Sequence, residues 1–160
     1  RPHEMYSISK IMWLKRNRPE VLEAARHILL MEDYVVFRLT GVAQIDYSLA
    51  ARTMAFDIRK LCWSGEILEA AGGDEKLLSV PVPTGTIAGS LLASAAEKTG
   101  LRSDAQVVSV SHDQVSAAVG AGAFDASVAV DGAGTVECLT PVYDEIPDMD
   151  VVYQAVRPLV

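Results

Sequence analysis

The chain has 160 residues, 50% of them hydrophobic, and a formal net charge of −7. That length makes one domain, or part of a larger one, with enough apolar residues for a core. The acid excess and the lack of any basic stripe argue against a nucleic-acid surface, and no apolar run approaches the roughly 20 residues that span a bilayer.

The chain opens on Arg rather than Met, and Val156-Arg157-Pro158-Leu159-Val160 carries no natural stop signal, so it reads as an excerpt from a longer protein. No signal peptide is visible, and a soluble cytosolic protein fits the acidic composition. The spacing of Ile8, Ile11, Met12 and Lys15 predicts a helix from Met5 to about Asn17, with Trp13 turned toward the core. Lys15, Arg16 and Arg18 read as its solvated end. Pro19 suits the first turn of a second helix running through Val21, Leu22, Ala25 and Ile28-Leu29. Met31-Glu32-Asp33 offers a cap for a third, Tyr34 to Leu39, which Thr40-Gly41 ends. Val42 to Ile45 reads as extended, and Asp46-Tyr47-Ser48 precedes a small helix or turn through Ala51. Arg52 could pair with Asp46 or Asp57 as a structural ion pair.

Trp63 to Ala71 reads as a helix stopped by Gly72-Gly73, followed by a helical turn at Asp74 to Leu78. The prolines of Val80-Pro81-Val82-Pro83 predict a loop. A brief strand at Thr86 to Ser90 and a helix from Leu91 to Lys98, closed by Gly100, come next. The two cysteines, Cys62 and Cys138, lack metal-ligand spacing and are expected to pack as small apolar side chains without a disulfide. Asp144 to Asp150 is acidic and proline-broken, and Val151 to Val156 suggests a last strand.

The stretch from Gln106 to Gly122 carries the chemistry. Gln106-Val107-Val108-Ser109-Val110 reads as a buried β-branched strand; Ser111-His112-Asp113-Gln114 follows, then a small-residue helix to about Gly122. Ligands of α/β folds bind at the carboxyl ends of strands, where an acid can take a proton from a hydroxyl. Read locally, Asp113 is equally well a helix cap. Farther on, Val128-Ala129-Val130-Asp131-Gly132-Ala133-Gly134-Thr135 leads into Val136-Glu137-Cys138-Leu139 and predicts a hairpin over 127–139. Its glycines allow close approach to an anion and Thr135 adds a hydroxyl donor, although most such turns only reverse the chain.

The chain resembles the FGGY family of carbohydrate kinases. The resemblance runs, in order, through Tyr6-Ser7-Ile8-Ser9-Lys10-Ile11-Met12-Trp13-Leu14, Asp33-Tyr34 with Leu39-Thr40-Gly41, Asp46 to Met54, Ser111-His112-Asp113-Gln114 and Gly132-Ala133-Gly134-Thr135. It implies an α/β fold, a ribonuclease H-like (actin/hexokinase-type ATPase) fragment with a helical insertion followed by a β-α-β-β unit. Residues 1–124 would be the C-terminal part of the family's N-terminal domain, and 125–160 the start of its C-terminal domain.

By the same resemblance Asp113 matches the general base, and Tyr6 and Gln114 match substrate contacts beside it. Gly134 and Thr135 match a loop that binds the ATP phosphate. For Tyr6 a packed or exposed aromatic, and for Gln114 a first-turn residue facing water, stand as alternatives. His112, where many members have Gly, is expected to hold the loop. Asp131 would repel phosphate unless it points away. The implied ligands are ATP, Mg2+ carried with the nucleotide and given no protein ligand here, and a small-molecule sugar or polyol. Nucleic acid and membrane are not implied partners, and a homo-oligomer stays open. The family's other phosphate loop, its upstream sugar-binding stretch and its adenosine site are not in these residues, so the chain alone is expected to be inactive. A non-catalytic sugar sensor of the same fold, or a scaffold in which Asp113 only caps a helix, are the competing readings.

Overall fold

A computed structural model describes residues 4–135, 137–148 and 150–151. The chain divides into two compact units, with the boundary between Ser111 and His112.

In the unit ending at Ser111, α1 (Ser7–Asn17) buries Ile8 and Ile11, one turn apart on one face. Lys15 and Arg16 lie in its last turn, exposed, where cations suit the helix dipole. Trp13, expected in the core, is 57% exposed, because the buried stripe runs through Ile8 and Ile11 instead. Pro19 opens α2 (Pro19–Ala24), which stops well short of the expected Ile28-Leu29. Ala25 turns extended, and the Ile28 N–H donates to the Leu77 carbonyl at 2.6 Å, bridging Ile28 to Leu78. A long-range pairing of a β-branched residue thus overrides the local helical pattern.

Next come α3 (Met31–Thr40), ended by Gly41, and β1 (Gln44–Asp46), followed by the short α4 (Tyr47–Ala51). Asp46 caps α4, accepting from the Ser48 and Leu49 N–H groups at 3.1 and 3.0 Å. β2 (Phe56–Asp57) and β3 (Cys62–Trp63) form a small antiparallel pair. Trp63, expected to start a helix, is therefore in a strand. Ser64 caps α5 (Gly65–Ala71) instead, and Gly72 ends it at φ +69, a left-handed geometry that favours glycine. A 3₁₀ turn at Glu75–Leu77 leads to β4 (Val80–Val82), which pairs in parallel with β1.

This strand occupies what the prolines predict as loop. The Val80 N–H donates toward β1, to the Ala43 carbonyl at 3.0 Å. Alternate residues point their N–H groups to opposite sides, so the missing donor of Pro81 falls on the outer edge of the pair. Around β1 lies the core of Ile8, Ile11, Ile45, Ala50, Ala55, Phe56, Trp63, Leu68 and Ala71. Phe56 stacks on Tyr47 and meets Trp63 edge-on, with ring centroids 5.5 and 5.8 Å apart.

β5 (Ile87–Ser90) and β6 (Gln106–Val108) pair antiparallel, joined through α6 (Ala93–Thr99) and its stop at Gly100. The expected buried strand is only partly so. It ends at Val108, with Val108 and Val110 exposed and Ser109 fully buried. Both cysteines are free, but Cys62 is exposed rather than packed, because β3 turns its other side chain, Trp63, inward.

The other unit contains α7 (Asp113–Gly120) and a hairpin of β7 (Ala129–Ala133) and β8 (Glu137–Pro141), in register from Ala129 opposite Pro141 to Ala133 opposite Glu137. Gly132, read from the sequence as part of the turn, lies within β7 opposite Cys138. The strand expected at Val151–Val156 lies, but for its first residue, outside the described residues. Among the described residues no helix is long and apolar enough to cross a membrane.

Candidate active site

Asp113 stands at the first position of α7, with His112 before it as the N-cap residue. Its carboxylate faces solvent, with the side chain 83% exposed. Oδ1 accepts the Gln114 N–H at 2.8 Å and lies 3.2 Å from His112 Nδ1. The carboxylate is therefore both a local acceptor at a helix start and an accessible group. It stands four residues beyond the buried Ser109, not directly on the end of β6. The contact at His112 Nδ1 is with the Asp113 carboxylate rather than with a backbone carbonyl of the loop.

Gln114 is half-buried rather than facing water. α7 packs on β7 and β8, and a Cβ placed on Gly132 would stand 3.0 Å from Gln114 Oε1. The missing side chain at Gly132 leaves room for this approach, which a methyl would crowd without blocking. Side chains alternate along β7, and Asp131 and Ala133 are exposed where Val130 and Gly132 are half-buried. Asp131 thus points to the opposite face from the one Gln114 approaches. Gly134 and Thr135 are exposed at the end of the hairpin, between the strands. The unit beginning at His112 contains His112, Asp113, Gln114 and the Gly-Thr turn, and the approach within it is that of Gln114 to Gly132.

Tyr6 belongs to the other unit. It precedes α1 as the N-cap residue, and the Arg52 guanidinium lies over its ring, 5.6 Å from the centroid. Arg52 is committed to this cation–π contact rather than to an ion pair with Asp46 or Asp57. Asp46 is occupied by Ser48, Leu49 and Thr84, and Asp57 by the Arg59 and Lys60 N–H groups.

The sequence reading missed a seam of buried polar side chains between α3, β1 and the β5–β6 pair. Asp33 is 1% exposed; its Oδ2 accepts from Ser79 Oγ at 2.6 Å, and its Oδ1 has no hydrogen-bond partner. Gln44 Nε2 donates to Ser109 Oγ at 3.0 Å and to the Thr86 carbonyl at 3.1 Å. Glu32 has both carboxyl oxygens shielded and neither in a well-formed hydrogen bond. Burial, then the charges of Asp33 and Asp46, push its carboxyl up to about 7; the nearby Ser109 hydroxyl and Val110 N–H only partly oppose this. Burial likewise raises Asp33, against the pull of its bond from Ser79. Two acids in a helix's first turn look like dipole partners in a sequence; nothing local marks them as buried.

The model of the N-terminal domain of the FGGY family of carbohydrate kinases matches residues 2–120. A xylulose kinase of Lactococcus lactis is 32% identical over 145 residues, covering 91% of this chain and 29% of that protein. An L-fuculokinase of Escherichia coli K12 is 36% identical over 117 residues, 73% of this chain and 25% of that protein. In structure, a gluconate kinase from Lactobacillus acidophilus superposes with a TM-score of 0.80 at 26% identity, covering 86% of this chain and 28% of the other. The chain thus spans less than a third of the length of these relatives. Its α/β fold is part of the actin/hexokinase-type ATPase fold of sugar kinases. With the family model covering residues 2–120, the chain belongs to the FGGY family of carbohydrate kinases.

Proposed function

We propose that the protein of which this chain is part phosphorylates a sugar or polyol hydroxyl with ATP, in the manner of a xylulokinase, with Asp113 as general base. The observation that carries this reading is the accessible Asp113 carboxylate, held at Oδ1 by His112 and the Gln114 N–H within the same compact unit as the Gly134-Thr135 turn. Phosphoryl transfer asks the protein chiefly for positioning and charge neutralisation. Asp113 Oδ2 takes the proton as the acceptor O–H bond breaks. That oxygen forms the new O–P bond, and the bond from the γ-phosphorus to the ADP oxygen breaks. Gln114 offers an amide that can donate to one sugar hydroxyl and accept from another. Backbone N–H groups at Gly134 and the Thr135 hydroxyl cradle the transferred group. Tyr6 contributes a further substrate contact, its ring fixed by Arg52.

No three of the described His, Cys, Asp or Glu side chains converge as a metal site would. Mg2+ would come bound to ATP and would supply charge neutralisation of the phosphates. Residues 1–124 are assigned to the kinase N-terminal domain and 125–160 to the start of the next. Availability of ATP and the acidic composition point to the cytoplasm. Alone, the 160-residue chain is expected to show no turnover in coupled ADP-release assays against a sugar panel.

The test is Asp113→Ala in the full-length protein, with xylulose, fuculose and gluconate as first acceptors. Loss of a general base costs about 10²–10⁴-fold in turnover, with ATP affinity retained. Activity within a few-fold of the parent would refute the assignment. Sugar binding with no turnover in the parent protein would identify a sensor instead.

A further inference from the structure

Among the described residues the acids of the buried seam have no neutralising cation, and Glu32 is the one with neither carboxyl oxygen in a well-formed hydrogen bond. Glu32 sits in the first turn of α3, and its shielded carboxyl faces the end of β6, where the Ser109 hydroxyl and the Val110 N–H lie nearest. Ser109 Oγ already accepts from Gln44 Nε2, and Ser109 is fully buried. The charged groups that act on Glu32 are Asp33, next to it on α3, and Asp46, at the end of β1. Both are acidic. Across the groove that the Glu32 stem lines, Lys10 of α1 has its ammonium spent on the carbonyls of Glu4, Met5 and Tyr6. An ionised Glu32 would be a buried anion facing two carboxylates without a cation.

We propose that Glu32 is a proton-operated latch: neutral, it packs α3 against the buried Ser109 at the end of β6, and ionised, it is expelled and loosens that strand end, just before His112-Asp113. Its consequence for phosphoryl transfer rests on the reading of Asp113 as base; its structural content does not.

The sign follows from the raised carboxyl. Between the ordinary value of 4.5 and about 7 the folded state holds a proton that the unfolded chain has released. Stability therefore falls as pH rises through that window and levels off above it. Asp33, also raised, acts in the same direction. Asp57, Asp104 and Asp125 are lowered and act below the usual carboxylate range, outside the window.

The experiment compares the full-length protein with Glu32→Gln, which keeps the shape and a hydrogen-bond donor but cannot ionise. The parent's melting temperature is expected to drop by several degrees between pH 5 and 8, and E32Q to remove most of that drop. Asp33→Asn should leave a smaller slope. Amide hydrogen exchange at Val108–Ser111, corrected for its intrinsic pH dependence, should speed up at least ten-fold from pH 5 to 8 in the parent and stay level in E32Q. A carbon-13 titration of the Glu32 carboxyl in the parent decides the matter should E32Q fail to fold. A midpoint near the ordinary value, as when another part of the protein brings a cation to it, overturns the latch, and so does a pH slope unchanged in E32Q. None of these readouts uses turnover, so an inactive protein with the predicted titration would sink the kinase reading and leave the latch standing.

Discussion

The unit up to Ser111 and the unit from His112 onward are built on opposite plans. The first wraps nine core residues around β1 and ties its strands together with buried polar side chains. Among the described residues of the second, only Ala118 and Ala123 are buried hydrophobics, and Phe124 is 76% exposed. Yet the second carries the accessible carboxylate and the Gly-Thr turn. On the proposed function, stability and chemistry are lodged in different stretches of chain, the usual division between a rigid scaffold and functional loops. A small helix-and-hairpin unit buries too little surface to be stable unaided, in keeping with a chain that spans under a third of its relatives.

The contrast breaks most visibly at Asp113. Its replacement by Ala should cost about 10²–10⁴-fold in turnover, while the melting temperature stays close to the parent's. A large loss of stability would make Asp113 part of the scaffold after all. Trp63→Ala should do the reverse. It removes a buried indole with an Nε1–H bond to the Ser79 carbonyl at 2.9 Å, and should destabilise by about 3–5 kcal/mol in denaturant titrations. Phe124→Ala in the same assay should change little, because its ring is already in water. Asp46→Ala deletes the cap of α4 and the acceptor of Thr84 Oγ1 at 2.5 Å. About 2 kcal/mol should be lost; a value near zero would show that the polar seam is ornamental. A small effect is also expected of Gly132→Ala. The new methyl meets the end of a flexible Gln114 side chain at 3.0 Å, so stability should move by less than about 1 kcal/mol. If Gln114 touches the sugar, its displacement should raise the sugar KM and leave the ATP KM alone.

Several elements were legible because their cause is local. Gly41, Gly72 and Gly100 end helices as the sequence suggests, Pro19 opens one, and Asp46 caps another. The hairpin appears where alternation and glycines place it, two residues later than expected at each end. Errors arose wherever a distant partner decided. Ile28 left its helical pattern for a bridge to Leu78, Trp63 of β3 paired with Phe56 of β2, and Val80-Pro81-Val82 became the partner of β1. For the site, the motif around Asp113 pointed to an acid at a helix start, and that is where it stands. The fit of Gln114 Oε1 against Gly132 was invisible, since it joins residues eighteen positions apart in the sequence.

The order of residues was enough for a family resemblance, carried by motifs spread along the chain, and for the stops of most helices and one carboxylate at the start of a small-residue helix, because these last depend on neighbours within a few positions. Which acids lie in water and which are sealed away was settled only when α3, β1 and β6 came together. Burial is a property of what surrounds a side chain, and the surroundings of Glu32 and Asp33 are drawn from segments that the chain brings back from dozens of residues away.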